Sequence, residues 1–200
     1  MILLGLNCGF GNGDLSELPM DALDLERGVI DYARRKTGVE RRATLWPETV
    51  AALRDWLEQR PRPEKRSDGG LVFLTKYGRP FVRHTHKQGE DGKVKLAQTD
   101  GVSREFAKLL TAQGLKRKRI NFYTLRHVFE TIAGETRDQP AVDRIMGHEA
   151  PSMATVYREW RKDGREDERL RRVTEHVRRW LWCGRQLATV KDSTRNGLNR

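Results

Sequence analysis

The sequence predicts a mainly α-helical domain with a small antiparallel β-sheet near its front. Two observations carry that expectation. In GVIDYARRKTGVERRATL, β-branched residues flank the turn Lys36-Thr37-Gly38, the pattern of a basic β-hairpin. From Pro47 onward, Val50, Leu53 and Leu57 recur at helical spacing with Trp56 widening the stripe, and Pro suits the first turn of the helix that they define. Beyond residue 101 the helical pattern returns in VSREFAKLLTAQG, FYTLRHVFETIAGE, PAVDRIMGH, around Tyr157, and over 168–182. A chain of 200 residues without internal repeats suits one hydrophobic core.

The remaining segments read as follows. MILLGL suits the inside of a helix, and the chain starts as though in mid-domain. Gly9, Gly11 and Gly13 alternate, but no strand precedes them and the third glycine is misplaced, which sets aside a dinucleotide-binding loop. LSELPMDALDLERG reads as a short helix, a proline break and a turn, and RPRPEKRSDGG as a linker. LVFLTKYGRPF reads as a short apolar strand and a turn. The polar, aperiodic HTHKQGEDGKVKLAQTD reads as a surface insertion that places His84 and His86 in an exposed loop, without acidic or cysteine partners for a metal. Leu170, Val173, Val177 and Leu181 form a stripe with Arg171, Arg172, Arg178 and Arg179 off it, equally suited to packing on its own core or on a neighbouring protomer. The closing GRQLATVKDSTRNGLNR has few large apolar residues, and a frayed tail is expected.

Lysine and arginine number 39 against 28 acidic residues, a net charge of +11 that favours a polyanionic partner. No run reaches the ~18 apolar residues of a membrane span, and the amino-terminal run lacks the cationic flank of a secretory signal, so a cytoplasmic protein is the expectation. Cys8 and Cys183 lie near opposite ends with no CxxC, and ordinary reduced thiols are expected, with neither metal nor cofactor.

Three segments stand out for chemistry. On one helix Tyr123, Arg126 and His127 are spaced to share a site while Leu125 and Phe129 face the core. Gly147 suits a left-handed helix end that leaves His148 at the mouth of a pocket, and Tyr157 follows on the next helix. Arg34, Arg35, Lys36, Arg41 and Arg42 crowd the hairpin and suit backbone phosphates. The run Lys116 to Arg119 fits either phosphate contact or a solvated face.

YTLRHVFETIAG, IMGH and ATVYREW resemble the catalytic motifs of the tyrosine recombinase (phage integrase) family: an HxxRH box, an LGH box, and a nucleophilic tyrosine nine residues after the LGH histidine, the separation of His148 and Tyr157. RRKTGVERRATLWPETVAAL is similar to the family's β-hairpin, in which a lysine, here Lys36, reaches the DNA. The resemblance covers roughly residues 1–181 and implies a catalytic domain there and an absent amino-terminal clamp domain, while composition leaves 182–200 as an expected disordered tail. It implies cleavage and rejoining of double-stranded DNA through a 3′-phosphotyrosine, without metal, cofactor or small-molecule substrate, by a homo-oligomer on DNA. Tyr157 would be the nucleophile and Arg126, His148, Lys36, His127 and Tyr123 its helpers. A type IB topoisomerase shares that chemistry and is a weaker alternative. The sequence departs from the family pattern at two places: Tyr123 replaces the first histidine of HxxRH, and in CGFGNGDL, aligned with TGLRxxEL, Gly11 stands where the first arginine belongs. That second departure raises the alternative of a non-catalytic DNA-binding relic or accessory protein of the same fold.

Overall fold

A computed structural model describes residues 1–33, 38–88, 94–148 and 165–195, with side chains over 1–33, 38–84, 97–148 and 166–183. Lys36, Arg34, Arg35, Tyr157 and the helix expected around it, and the side chain of His86 therefore lie outside the described residues.

The chain opens with two short helices, α1 (Ile2–Cys8) and α2 (Asn12–Ser16). Gly9 ends α1 at φ 63°, a left-handed turn that costs glycine nothing. Three short strands follow, β1 (Leu23–Asp24), β2 (Val29–Asp31) and β3 (Arg42–Thr44), forming an antiparallel sheet in that order with Ile30 opposite Ala43. The basic hairpin is thus real, though its paired region is only three residues long. Pro47 opens α3 (Pro47–Glu58) as expected.

Two readings need correction between residues 71 and 100. Val72, Phe73 and Leu74 are buried but form no strand; pairing here stops at the isolated bridge of Pro19 with Leu71, flanked by the Met20 N–H to the Gly70 carbonyl and the Val72 N–H to the Leu18 carbonyl, both 2.8 Å. The supposed insertion is a regular hairpin, β4 (Val82–Gln88) paired antiparallel with β5 (Val94–Asp100) from Val82–Asp100 to Gln88–Val94. The ribbon is anchored at its base, where the Val82 N–H donates to Ser16 Oγ and the Gly101 N–H to the Phe81 carbonyl, both at 2.8 Å, and its polar sequence carries no alternation to reveal it. Asp100 then caps α4 (Gly101–Ala112), its Oδ1 accepting from the Ser103 N–H at 2.9 Å.

The second half is helical: α5 (Tyr123–Gly134), α6 (Gln139–Met146) and the long α7 (Arg165–Arg195). α7 extends to Arg195, into the segment expected as a frayed tail; Arg185, Gln186, Leu187, Ala188 and Lys191 are good helix formers and no proline interrupts them. Its stripe packs on the chain's own core, since Leu170, Val173 and Val177 are buried beside Phe129, Ile132, Val142 and Ile145. Trp46, fully buried, locks this core to the front: its indole N–H donates to the Thr174 carbonyl (2.8 Å), its backbone N–H to Asn7 Oδ1 (2.8 Å), and Asn7 Nδ2 to the Thr44 carbonyl (3.0 Å). Among the described residues no helix is long and apolar enough to cross a membrane.

Candidate active site

The site is built where the α1–α2 turn meets the start of α5 and the end of α6. Arg126 sits in the second turn of α5 with its guanidinium buried. Nη1 donates to the Gly9 carbonyl at 2.5 Å, and Nη2 faces the Met146 carbonyl (3.3 Å) and His148 Nε2 (2.8 Å). His148 arrives there because Gly147 ends α6 at φ 64° and turns the chain, so that the His148 N–H donates back to the Asp143 carbonyl at 3.0 Å. A guanidinium has no lone pair to offer, so Nε2 must accept from Arg126; the neutral ring then carries its proton on Nδ1, which faces Asp143 Oδ1 at 3.5 Å.

Three consecutive residues of the α1–α2 turn each serve a different partner. Gly9 offers its carbonyl to Arg126. The Phe10 ring lies under the Arg41 guanidinium, 4.3 Å from centroid to guanidinium carbon. Gly11 donates its N–H to Asp14 Oδ2 at 2.8 Å. Asp14 Oδ1 pairs with Arg41 Nη2 at 2.9 Å, and Oδ2 stands 3.9 Å from Arg126 Nη1. Gly11 itself is extended, at φ −92° and ψ 178°. A Cβ placed there would lie 3.4 Å from Asp14 Oδ2 and 3.6 Å from Tyr123 Cε2, ordinary contacts. Beyond it opens a cleft of about 600 Å³ bordered by Asp14, Glu17, His84, Gln98, Asn121 and Tyr123.

The expected trio on α5 divides. Arg126 turns inward, whereas Tyr123 and His127, four residues apart, are exposed and meet edge to face at 4.9 Å. Phe129 is in the core and Leu125 packs partly against it, as expected. Arg126 and His148 are brought together, and Tyr123 borders the empty position at Gly11. His84 belongs to β4 and borders the cleft, not a loop.

The hairpin arginines also need correction. Arg41, expected on the exposed face of the hairpin, is 1% exposed and packs against Asp14 and the Phe10 ring. Arg42 spans Asp167 (2.6 and 3.0 Å) and Asp31 (2.7 Å), tying β3 and β2 to α7. The hydrogen bonds from Arg42 hold the Asp167 carboxyl below its ordinary range against the opposing effect of burial, and raise Arg42 in turn. Burial pushes the Cys8 thiol well above its usual range, with the nearby Arg41 opposing, so it is no nucleophile at neutral pH. Sequence reasoning missed the Arg41–Asp14 pair. The only signal was an acid at the family's acidic position, without its usual arginine three residues before it.

The family description "Phage integrase family" matches residues 1–163. No curated protein compared with the chain matches it. Solved structures do. The XerA recombinase is 18% identical with a TM-score of 0.54, over 80% of this chain and 52% of that one. The Tn1549 transposon integrase in complex with a circular intermediate DNA is 18% identical with a TM-score of 0.57, over 86% and 57%. The XerH site-specific recombinase bound to its difH substrate before cleavage is 21% identical with a TM-score of 0.53, over 82% and 43%. The chain thus spans about half the length of these proteins and shares their fold. With its boxes in order and its profile match over most of its length, the chain belongs to the phage integrase family.

Proposed function

We propose that the chain is the catalytic domain of a site-specific DNA recombinase that cuts and rejoins duplex DNA through a 3′-phosphotyrosine. The observation that carries this reading is the buried Arg126, locked by two backbone carbonyls and seated 2.8 Å from His148. Of the five N–H donors on a guanidinium, three are engaged among the described residues, which leaves donors for a phosphate oxygen. In this reading the Tyr157 phenol gives its proton to His127 as its oxygen attacks phosphorus, the P–O5′ bond breaks, and the leaving 5′ oxygen takes a proton from Lys36. Rejoining is the reverse, and the phosphotyrosine conserves the ester's free energy between the two steps.

Negative charge gathering on the non-bridging oxygens is met by Arg126. A phosphate that takes the Nη2 donor releases His148 Nε2, which can then carry a proton toward the same oxygens. Tyr123, replacing a histidine, offers a phenol O–H to the phosphate, and His127 beside it assists proton transfer. For the DNA backbone, support shifts from Arg41 and Arg42 to Lys116, Arg117, Lys118 and Arg119, an exposed run that leads into α5 and makes no ion pair among the described residues. Double-stranded DNA is the partner, bound by several copies of the chain.

The absence of a side chain at Gly11 favours a second reading, a DNA-binding relic without turnover. Incubation with a nicked suicide substrate separates the two. The first reading expects a covalent protein–DNA adduct that forms in EDTA and is lost in Tyr157→Phe. Binding without any adduct supports the relic, and an adduct surviving Tyr157→Phe overturns the mechanism.

A further inference from the structure

We propose that Arg41 is a positioning residue of the phosphate site: by holding the charge of Asp14, it leaves Arg126 available to DNA. The inference rests on the reading of Arg126 as the phosphate ligand. Asp14 lies between two guanidinium groups at unequal distances, 2.9 Å from Arg41 and 3.9 Å from Arg126. All three side chains are buried, at 1%, 9% and 3% exposure for Arg41, Asp14 and Arg126, where a charge is poorly screened and an uncompensated carboxylate is costly. Among the described residues, the cation that faces Asp14 next after Arg41 is Arg126. Without Arg41, Asp14 would need to close only about 1 Å to form a direct bond to it, which would set the carboxylate's negative charge against an incoming phosphate.

The surroundings hold Arg41 to this task. Its guanidinium lies 4.3 Å from the Phe10 ring centroid and 5.7 Å from that of Tyr32, and its backbone carbonyl accepts from the Tyr32 N–H at 3.0 Å. Gly11 makes the dependence specific to this chain. The cleft side of Asp14, where a side chain at position 11 would begin 3.4 Å from Oδ2, carries no cation of its own at that position. Arg41 therefore acts from behind: engaged by Asp14 and by the Phe10 and Tyr32 rings, it sets how much of the Arg126 charge reaches the site.

The test is a mutant cycle on duplex-DNA affinity in the full chain carrying Tyr157→Phe, with a fluorescently labelled random-sequence duplex as probe and melting followed for each variant. In the parent, Arg126→Gln is expected to weaken binding at least ~fivefold through loss of a charge-assisted bond to phosphate. In Arg41→Met, and in Arg41→Gln, which keeps a donor to Asp14 but no charge, the same change should cost less than ~twofold because Arg126 is already captured. Adding Asp14→Asn to either background should restore the ~fivefold cost, and Arg41→Lys should retain it. A merely structural Arg41 would lower melting and leave the Arg126→Gln cost the same in every background, and that result overturns the inference alone. An Arg126→Gln change without effect in the parent overturns both the inference and the phosphate-site reading.

Discussion

Gly11 is a position where nothing in the backbone requires glycine. Its φ of −92° lies where any residue is at ease, and the space beyond a Cβ is an open cleft. Gly11→Arg should therefore melt within a degree or so of the parent, and it should raise adduct yield on a suicide substrate at least ~tenfold, equivalent to ~1.4 kcal/mol of transition-state stabilisation. A folded variant with no gain over an active parent would mean that the position is not limiting. Asp167 is the complementary case, a carboxylate whose value is structural. Arg42 lowers its pKa in the folded state, so its contribution is present above the ordinary carboxylate range and is lost as pH falls through the folded value. Arg42→Met should accordingly shift the midpoint of acid unfolding to higher pH, as followed by circular dichroism; an unmoved midpoint would deny the pair that role.

Among the elements, the α1–α2 turn bears most on the site. Gly9 combines φ 63° with close packing, since a Cβ there would approach Phe129 Cδ1 to 3.0 Å. Gly9→Ala should cost about 1–2 kcal/mol from the left-handed backbone alone, lower the melting temperature by several degrees, and disturb the carbonyl that holds Arg126. Melting like the parent's would show that the turn relaxes. The helices of the second half were legible because Phe129, Val142, Ile145, Leu170, Val173 and Val177 repeat at helical spacing on buried faces. The β4–β5 ribbon was not, because backbone pairing leaves no mark in a polar sequence. Arg41 was misread for a related reason. Within ERR it looks like one more solvated cation, and its burial follows from Asp14 and Phe10, far earlier in the chain. The inward turn of Arg126 was likewise invisible from spacing, because Gly9 and Met146 hold it by backbone carbonyls, which carry no sequence signature.

Across the whole molecule, the net charge of +11 is not spread evenly. Arginines are consumed in holding α7 to the body: Arg42 to Asp167, Arg144 to Glu166, Arg169 to Asp138 and Arg178 to Glu48. Lys116, Arg117, Lys118 and Arg119 are exposed, and under the proposed function they are the surplus available to DNA. Changing these four to alanine should reduce the slope of log affinity against log salt by about 0.9 for each phosphate that is no longer neutralised, whereas Arg42→Met should leave it unchanged. An unaltered slope in the fourfold variant would place the DNA elsewhere.

The polarity of the covalent intermediate tests the recombinase reading most directly. A suicide duplex labelled separately upstream and downstream of its nick, denatured after incubation and digested for peptide mapping, reports both the attached strand end and the attached residue. The predicted result is a 3′-phosphate linked to the peptide that contains Tyr157, with a free 5′ hydroxyl on the released strand. A 5′-linked adduct, or attachment at any other residue, would contradict it.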